Sequence, residues 1–152
     1  LVYSDTVSEN DIRSQLLRSE FGDCLGEGFN FQSYHGATLF AQGTELNAMQ
    51  RGNLDMGNLA IFDFYNQVPA TSVLGLPFLF RDARIAETLL DGPIGQGLLA
   101  DMPAKGIYGF VWGHYGWRET ETANQPVREP SDLKGVKIRI QPGAVFAASF
   151  PR

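Results

Sequence analysis

A chain of 152 residues, 43% hydrophobic and 19% charged, has the composition of one globular domain or of a large piece of a two-domain protein. Its net charge of −5, with no cluster of Lys or Arg, argues against nucleic acid as a partner, because phosphates are bound by concentrated positive charge. The single cysteine, Cys24, excludes an internal disulfide and a cysteine-based metal cluster, and no run approaches the ~20 apolar residues of a bilayer span.

No basic segment followed by an apolar run opens the chain, so Leu1-Val2-Tyr3 is read as the start of an already processed sequence. Leu1 to Ser4 reads as a short buried strand that runs into a polar turn. Ser8-Glu9-Asn10-Asp11 begins a helix expected to reach about Glu27. Ile12, Leu16, Leu17, Phe21, Cys24 and Leu25 share one face of it. Cys24 on that face is read as a small core hydrophobe, since no cationic neighbour is evident to activate its thiol. Gly26 and Gly28 end the helix.

Phe29 to Tyr34 alternates as a second strand, with His35 at its end. A histidine there is usually solvated or hydrogen-bonded, but strand-end loops are also where open α/β sheets bind ligands. Thr44 is expected to cap a helix that Gly52 stops, and Leu54 to Ile61 reads as a third strand. Strand, helix, strand, helix, strand is the pattern of a parallel α/β sheet.

Phe62 to Val68 reads as a short helix ended by Pro69. Val73 to Phe80 is an apolar run broken by Pro77, expected to pack in the core or to wall an apolar cleft. Arg81-Asp82 starts a helix that breaks at Asp91-Gly92-Pro93, and Pro93 opens another that reaches Lys105-Gly106. Gly92, Gly95 and Gly97 are not in the order of a dinucleotide fingerprint, and no strand delivers them to a phosphate.

Ile107 to Trp112 and Trp117 to Thr122 read as strand segments separated by glycines, as in a chain crossing between two lobes. Pro130, Asp132 and Gly135 form a turn into Val136-Lys137-Ile138-Arg139-Ile140, whose alternation sets Arg139 opposite the apolar side chains. Two readings stand for Arg139 from pattern alone. It is a solvated cation on an outer face, or a guanidinium held on a strand to grip a carboxylate with two parallel hydrogen bonds. Ala144 to Phe150 begins like a helix.

His35 and His114 are the only histidines, and neither has a ligand partner one helical turn away, so no metal site is expected. No strand-to-helix elbow of the G-x-S-x-G kind is present, and no cofactor motif stands out. An enzyme is not excluded, but no residue set argues for one. What remains is recognition, by two arginines with aromatics nearby.

Four segments carry a family likeness: GTELNAMQRGNLDM at 43–56, LPFLF at 76–80, GWRET at 116–120 and PSDLKGVKIR at 130–139. In this order and spacing the chain resembles the DctP-type solute-binding proteins of TRAP (tripartite ATP-independent periplasmic) transporters. The resemblance implies an α/β fold of the type II periplasmic-binding-protein kind, with two lobes around a cleft. On that reading residues 1–113 form an incomplete first lobe, and residues 114–152 form a crossing strand and the start of the second. The family's function is periplasmic capture of a small organic acid and its delivery to membrane permease subunits.

The family's carboxylate-gripping arginine falls on Arg139 and a second cleft arginine on Arg118. Trp117 is then expected to pack on an apolar part of the ligand. Asn58 stands near a position, Ala60, where some members carry a glutamate, and His35 lies at a strand end that can face the cleft. Members of the family are about twice as long, so a truncated product or fragment is expected, with self-association through the surface this exposes. Two further readings stay open: a fragment of the family that binds nothing, and an α/β enzyme of unknown chemistry.

Overall fold

A computed structural model describes residues 1–150. At its centre is β1 (Val2–Asp5), flanked by β2 (Gln32–Tyr34) and β3 (Met56–Asn58) in a parallel sheet of order β2-β1-β3. Tyr3 pairs with Ser33 on one side and Met56 on the other, and Asp5 lies opposite Asn58. Neighbours on both edges satisfy the backbone of β1, and Tyr3, Ser4 and Asp5 are all buried. The chain passes from β1 to β2 on one side and then back across to β3. The strand order therefore reverses at β1, where open α/β sheets form a crevice beyond their carboxyl ends.

The helix between β1 and β2, α1, covers residues 12–24 as Ile12–Leu16, a π turn at Leu17–Phe21, and Gly22–Cys24. Asp11 caps it by accepting from the backbone N–H of Arg13. Leu17, Phe21 and Leu25 are half-buried, and the Phe21 ring meets Phe31 edge-on at 5.3 Å. Ile12 and Leu16 are exposed, and so is Cys24, which is not a core residue as expected. A π turn adds residues per turn, so positions after it rotate away from a stripe counted at 3.6.

α2 (Glu45–Gln50) joins β2 to β3. Its entry is not capped by Thr44, whose hydroxyl instead donates to the carbonyl of Ala41 at 2.7 Å. Its exit is the paired bond of a Schellman motif, Gly52 N–H to Met49 and Asn53 N–H to Ala48, with Gly52 at φ +74°. β3 is shorter than expected, because Ala60 already leads into a 3₁₀ turn at Ile61–Phe64. A second 3₁₀ turn, Pro69–Gly75, is opened by Pro69.

The run Val73 to Phe80 is not core: Val73, Leu76 and Leu79 are exposed and Phe78 is 99% exposed. α3 (Ala83–Asp91), capped by Asp82, and α4 (Pro93–Ala100) form a helical hairpin. The helix expected to run on to Lys105 stops at Ala100. A 3₁₀ turn at Pro103–Lys105 follows, because Pro103 has no N–H to give to an α-helical ladder.

The core brings Leu46 of α2 and Phe64 together with Leu99, Met102 and Ile107. Met49, Leu59 and Trp112 pack on it, and the Trp112 indole N–H donates to the carbonyl of Gly95 at 3.0 Å. Ile107 to Trp112, Trp117 to Thr122 and Val136 to Ile140 enter no sheet among the described residues, contrary to expectation. Alternation marks what a segment can bury, whereas a strand also needs an edge to pair with. Tyr108, Phe110 and Val111 are accordingly 74%, 79% and 78% exposed. The alternation itself persists, with Val136, Ile138 and Ile140 half-buried and Lys137 and Arg139 exposed. A last helix, α5 (Ala144–Ser149), follows. Among the described residues no helix is long and apolar enough to cross a membrane.

Candidate functional site

The extended segment ending at Ile140 turns the Arg139 side chain outward, and two residues further the chain presents Gln141 on the same face. Gln141 is buried, at 9% exposure. Its amide oxygen is assigned toward the arginines, because in the opposite sense the amide nitrogen would face only donors. In that orientation it accepts from Arg118 Nη1 at 2.8 Å and from Arg139 Nη1 at 2.9 Å. Two guanidiniums distant in sequence are thus pinned to one neutral atom. The Arg118 guanidinium also lies over the Phe62 ring, 5.3 Å from its centroid, which fixes its second face.

Beside this pair Tyr65 stacks on Phe146 at 6.4 Å and ties α5 to the chain after the first 3₁₀ turn. The Tyr65 hydroxyl is buried without a hydrogen-bond partner among the described residues. Burial raises its pKa, while the charge of Arg118 acts in the opposite direction. Two unit charges about 5 Å apart repel by about 3 kcal/mol at an effective dielectric of 20. Both guanidiniums reach water, which lowers that figure. A carboxylate placed between them would remove the repulsion and gain charge-assisted hydrogen bonds from the N–H groups that Gln141 does not use.

A second polar group sits at the carboxyl ends of the strands. Asp5, 2% exposed, accepts from the Tyr3 hydroxyl at 2.7 Å and the Val7 N–H at 3.1 Å, and its Oδ1 lies 3.1 Å from His35 Nδ1. With Nδ1 as donor to Asp5, His35 Nε2 is the acceptor nitrogen, buried and without a partner among the described residues. Burial, and after it Asp5, holds the Tyr3 phenol far above its ordinary range. Glu45, at the start of α2, is 1% exposed and its Oε1 has no partner among the described residues. Burial, reinforced by Asp63 and Asp5, pushes its carboxyl up to about 7, against the pull of the Gly43 N–H. Burial also raises Asp63, whose carboxylate accepts from Ala60 N–H at 3.2 Å.

Of the residues singled out from sequence, Arg118 and Arg139 meet at Gln141. His35 is buried in the Tyr3–Asp5 network, and it also borders an open hollow of about 560 Å³ shared with Ser8, Asn10, Arg18, Ser33 and Thr38. Asn58 is exposed at the end of β3. Trp117 is exposed and meets the His114 ring edge-on at 5.6 Å. Sequence reasoning missed Gln141, Phe62 and Glu45. The extended period places Gln141 on the face of Arg139, a signal that was available. Glu45 stands in the first turn of α2, where an acid is favourable to the dipole, and nothing local signals its burial.

The family model described as bacterial extracellular solute-binding protein, family 7 (DctP), matches residues 4–152. A solute-binding protein of Verminephrobacter eiseniae is 36% identical over 143 residues, which are 94% of this chain and 43% of the relative. The 2,3-diketo-L-gulonate-binding periplasmic protein YiaO of Escherichia coli is 31% identical over 139 residues, 89% of this chain and 42% of the relative. Among solved structures, a TRAP periplasmic solute-binding protein from Polaromonas sp. JS666, bound to D-erythronate, superposes with a TM-score of 0.90 at 28% identity. That match covers 99% of this chain and 50% of the other. The chain spans about half the length of the relatives it matches.

Proposed function

The chain belongs to the DctP family of bacterial extracellular solute-binding proteins, and from that premise we propose that it captures a small organic acid in the periplasm through Arg118 and Arg139. The observation that carries this reading is the meeting of the two guanidiniums on Gln141. A planar carboxylate fits such a pair with parallel hydrogen bonds, where a neutral ligand would leave two like charges facing each other. The relatives support a hydroxylated acid as the ligand class, since one is bound to D-erythronate and another is named for 2,3-diketo-L-gulonate.

On this reading residues 1–113 form one lobe, residues 114–152 cross into the second, and the acid lies between them. Its hydroxyls are met from the strand ends, by Asn58 and His35, and Trp117 covers an apolar part of it. Delivery is to membrane permease subunits. The exposed Tyr108, Phe110 and Val111 give the chain a surface for self-association.

Thermal unfolding with a panel of acids tests the proposal: D-erythronate, D-galacturonate, C4-dicarboxylates and 2-oxo acids. A ligand at a hundred times its dissociation constant adds about 2.7 kcal/mol. For a chain of this size that raises Tm by about 5–10 °C. An unfolding transition indifferent to every acid would leave the family's function unperformed by this chain.

A further inference from the structure

We infer that Gln141 positions the two arginines and, by being neutral, leaves their charge free for an acid; this rests on the proposed capture of an acid at that pair. An amide oxygen has two acceptor sites, and the Nη1 groups of Arg118 and Arg139 fill both at 2.8 and 2.9 Å. Without it the guanidiniums have no common partner among the described residues, and their like charges drive them apart.

The arm that carries this oxygen is rigid. Pro142 restricts the backbone of Gln141 to extended conformations. Gly143 then turns at φ +125° against Tyr65, where a Cβ would stand 2.7 Å from the ring. Gln141 itself is nine-tenths buried. Residue type matters as much as position. A glutamate here would be an internal carboxylate on both arginines, competing with any acid from solution. A leucine would fill the space and bind neither arginine. A neutral oxygen alone holds the geometry and keeps both positive charges, so the pair should prefer an acid to an uncharged polyol of the same carbon skeleton.

The test uses the 152-residue chain with Gln141→Leu, Gln141→Asn and Gln141→Glu, each checked for folding by circular dichroism. Guanidinium nitrogen NMR, assigned with Arg118→Lys and Arg139→Lys, needs no ligand. Slow guanidinium rotation with separate Nη signals is expected for both arginines in the unmodified chain. Joint averaging is expected in Gln141→Leu and, because its arm is one methylene shorter, in Gln141→Asn. Titration with D-erythronate is expected to be about 10-fold weaker in Gln141→Leu and about 100-fold weaker in Gln141→Glu, with erythritol bound by none. Arginine signals unchanged by removing Gln141, or full D-erythronate affinity in Gln141→Glu, would overturn the inference. If the unmodified chain takes no acid, acid capture fails and the guanidinium signals still decide whether Gln141 positions the pair.

Discussion

Glu45→Gln isolates the buried carboxyl at the start of α2. In the fold this group titrates near 7, raised first by burial and then by Asp63 and Asp5, against an ordinary value of 4.5. Its native form binds a proton more tightly than the unfolded chain does. The stability it contributes is therefore fully present below about pH 4.5 and is lost as pH rises through about 7. Converted at 1.36 kcal/mol per tenfold change in proton affinity, the loss is about 3 kcal/mol. The side chain is 1% exposed, so solvent screening takes little from that figure. Glutamine mimics the protonated carboxyl and cannot ionise. The two proteins should be nearly equally stable at pH 4, and the variant should be about 3 kcal/mol more stable at pH 8, or about 6–12 °C in Tm. Urea unfolding of both proteins from pH 4 to pH 8 measures the difference. Asp11, held at about 2 by its hydrogen bonds to Arg13, is common to both and cancels; Asp63, also raised by burial, acts on Glu45 through its charge, so its contribution belongs to the difference measured. Parallel stability curves for the two proteins would refute the assignment of an ionisable buried Glu45.

Tyr3→Phe removes the donor to Asp5 at 2.7 Å in a buried site, and should cost about 1–3 kcal/mol in chemical denaturation, because Asp5 keeps its other partners but loses one. Gly143→Ala places a Cβ 2.7 Å from the Tyr65 ring at a φ of +125°; a drop in stability of about 1–3 kcal/mol should appear together with looser stacking of Phe146. Phe110→Ser with Val111→Thr exchanges two outward apolar residues. Unfolding free energy should change by less than about 0.5 kcal/mol, while binding of a hydrophobic dye and any concentration-dependent association fall.

The parallel sheet was legible because strand and helix periods alternate cleanly from Leu1 to Ile61, and the break between α3 and α4 because Gly92-Pro93 can continue neither helix. The outward side of Arg139 followed from the alternation of Val136, Ile138 and Ile140. Other features depend on what lies across space. The π turn at Leu17–Phe21 rotated Cys24 out of its stripe, and no local composition announced it. The segments at 107–112 and 136–140 have strand patterns but no edge to pair with among the described residues. Gln141 shares a face with Arg139 in sequence, but its contact with Arg118 exists only once the chain has folded back. The unpartnered oxygen of Glu45 is likewise a property of its buried neighbourhood rather than of its place in a helix.

Acid capture by the arginine pair is tested most directly by calorimetric titration of D-erythronate into the unmodified chain, Arg118→Lys and Arg139→Lys. A lysine keeps the charge but loses the two-pronged geometry, which is worth about 1.5–3 kcal/mol per charged hydrogen bond lost. The account predicts one saturable site in the unmodified chain and an affinity about 10- to 100-fold lower in each variant. Equal affinity in all three proteins, or a flat titration of the unmodified chain with every acid of the panel, would contradict it.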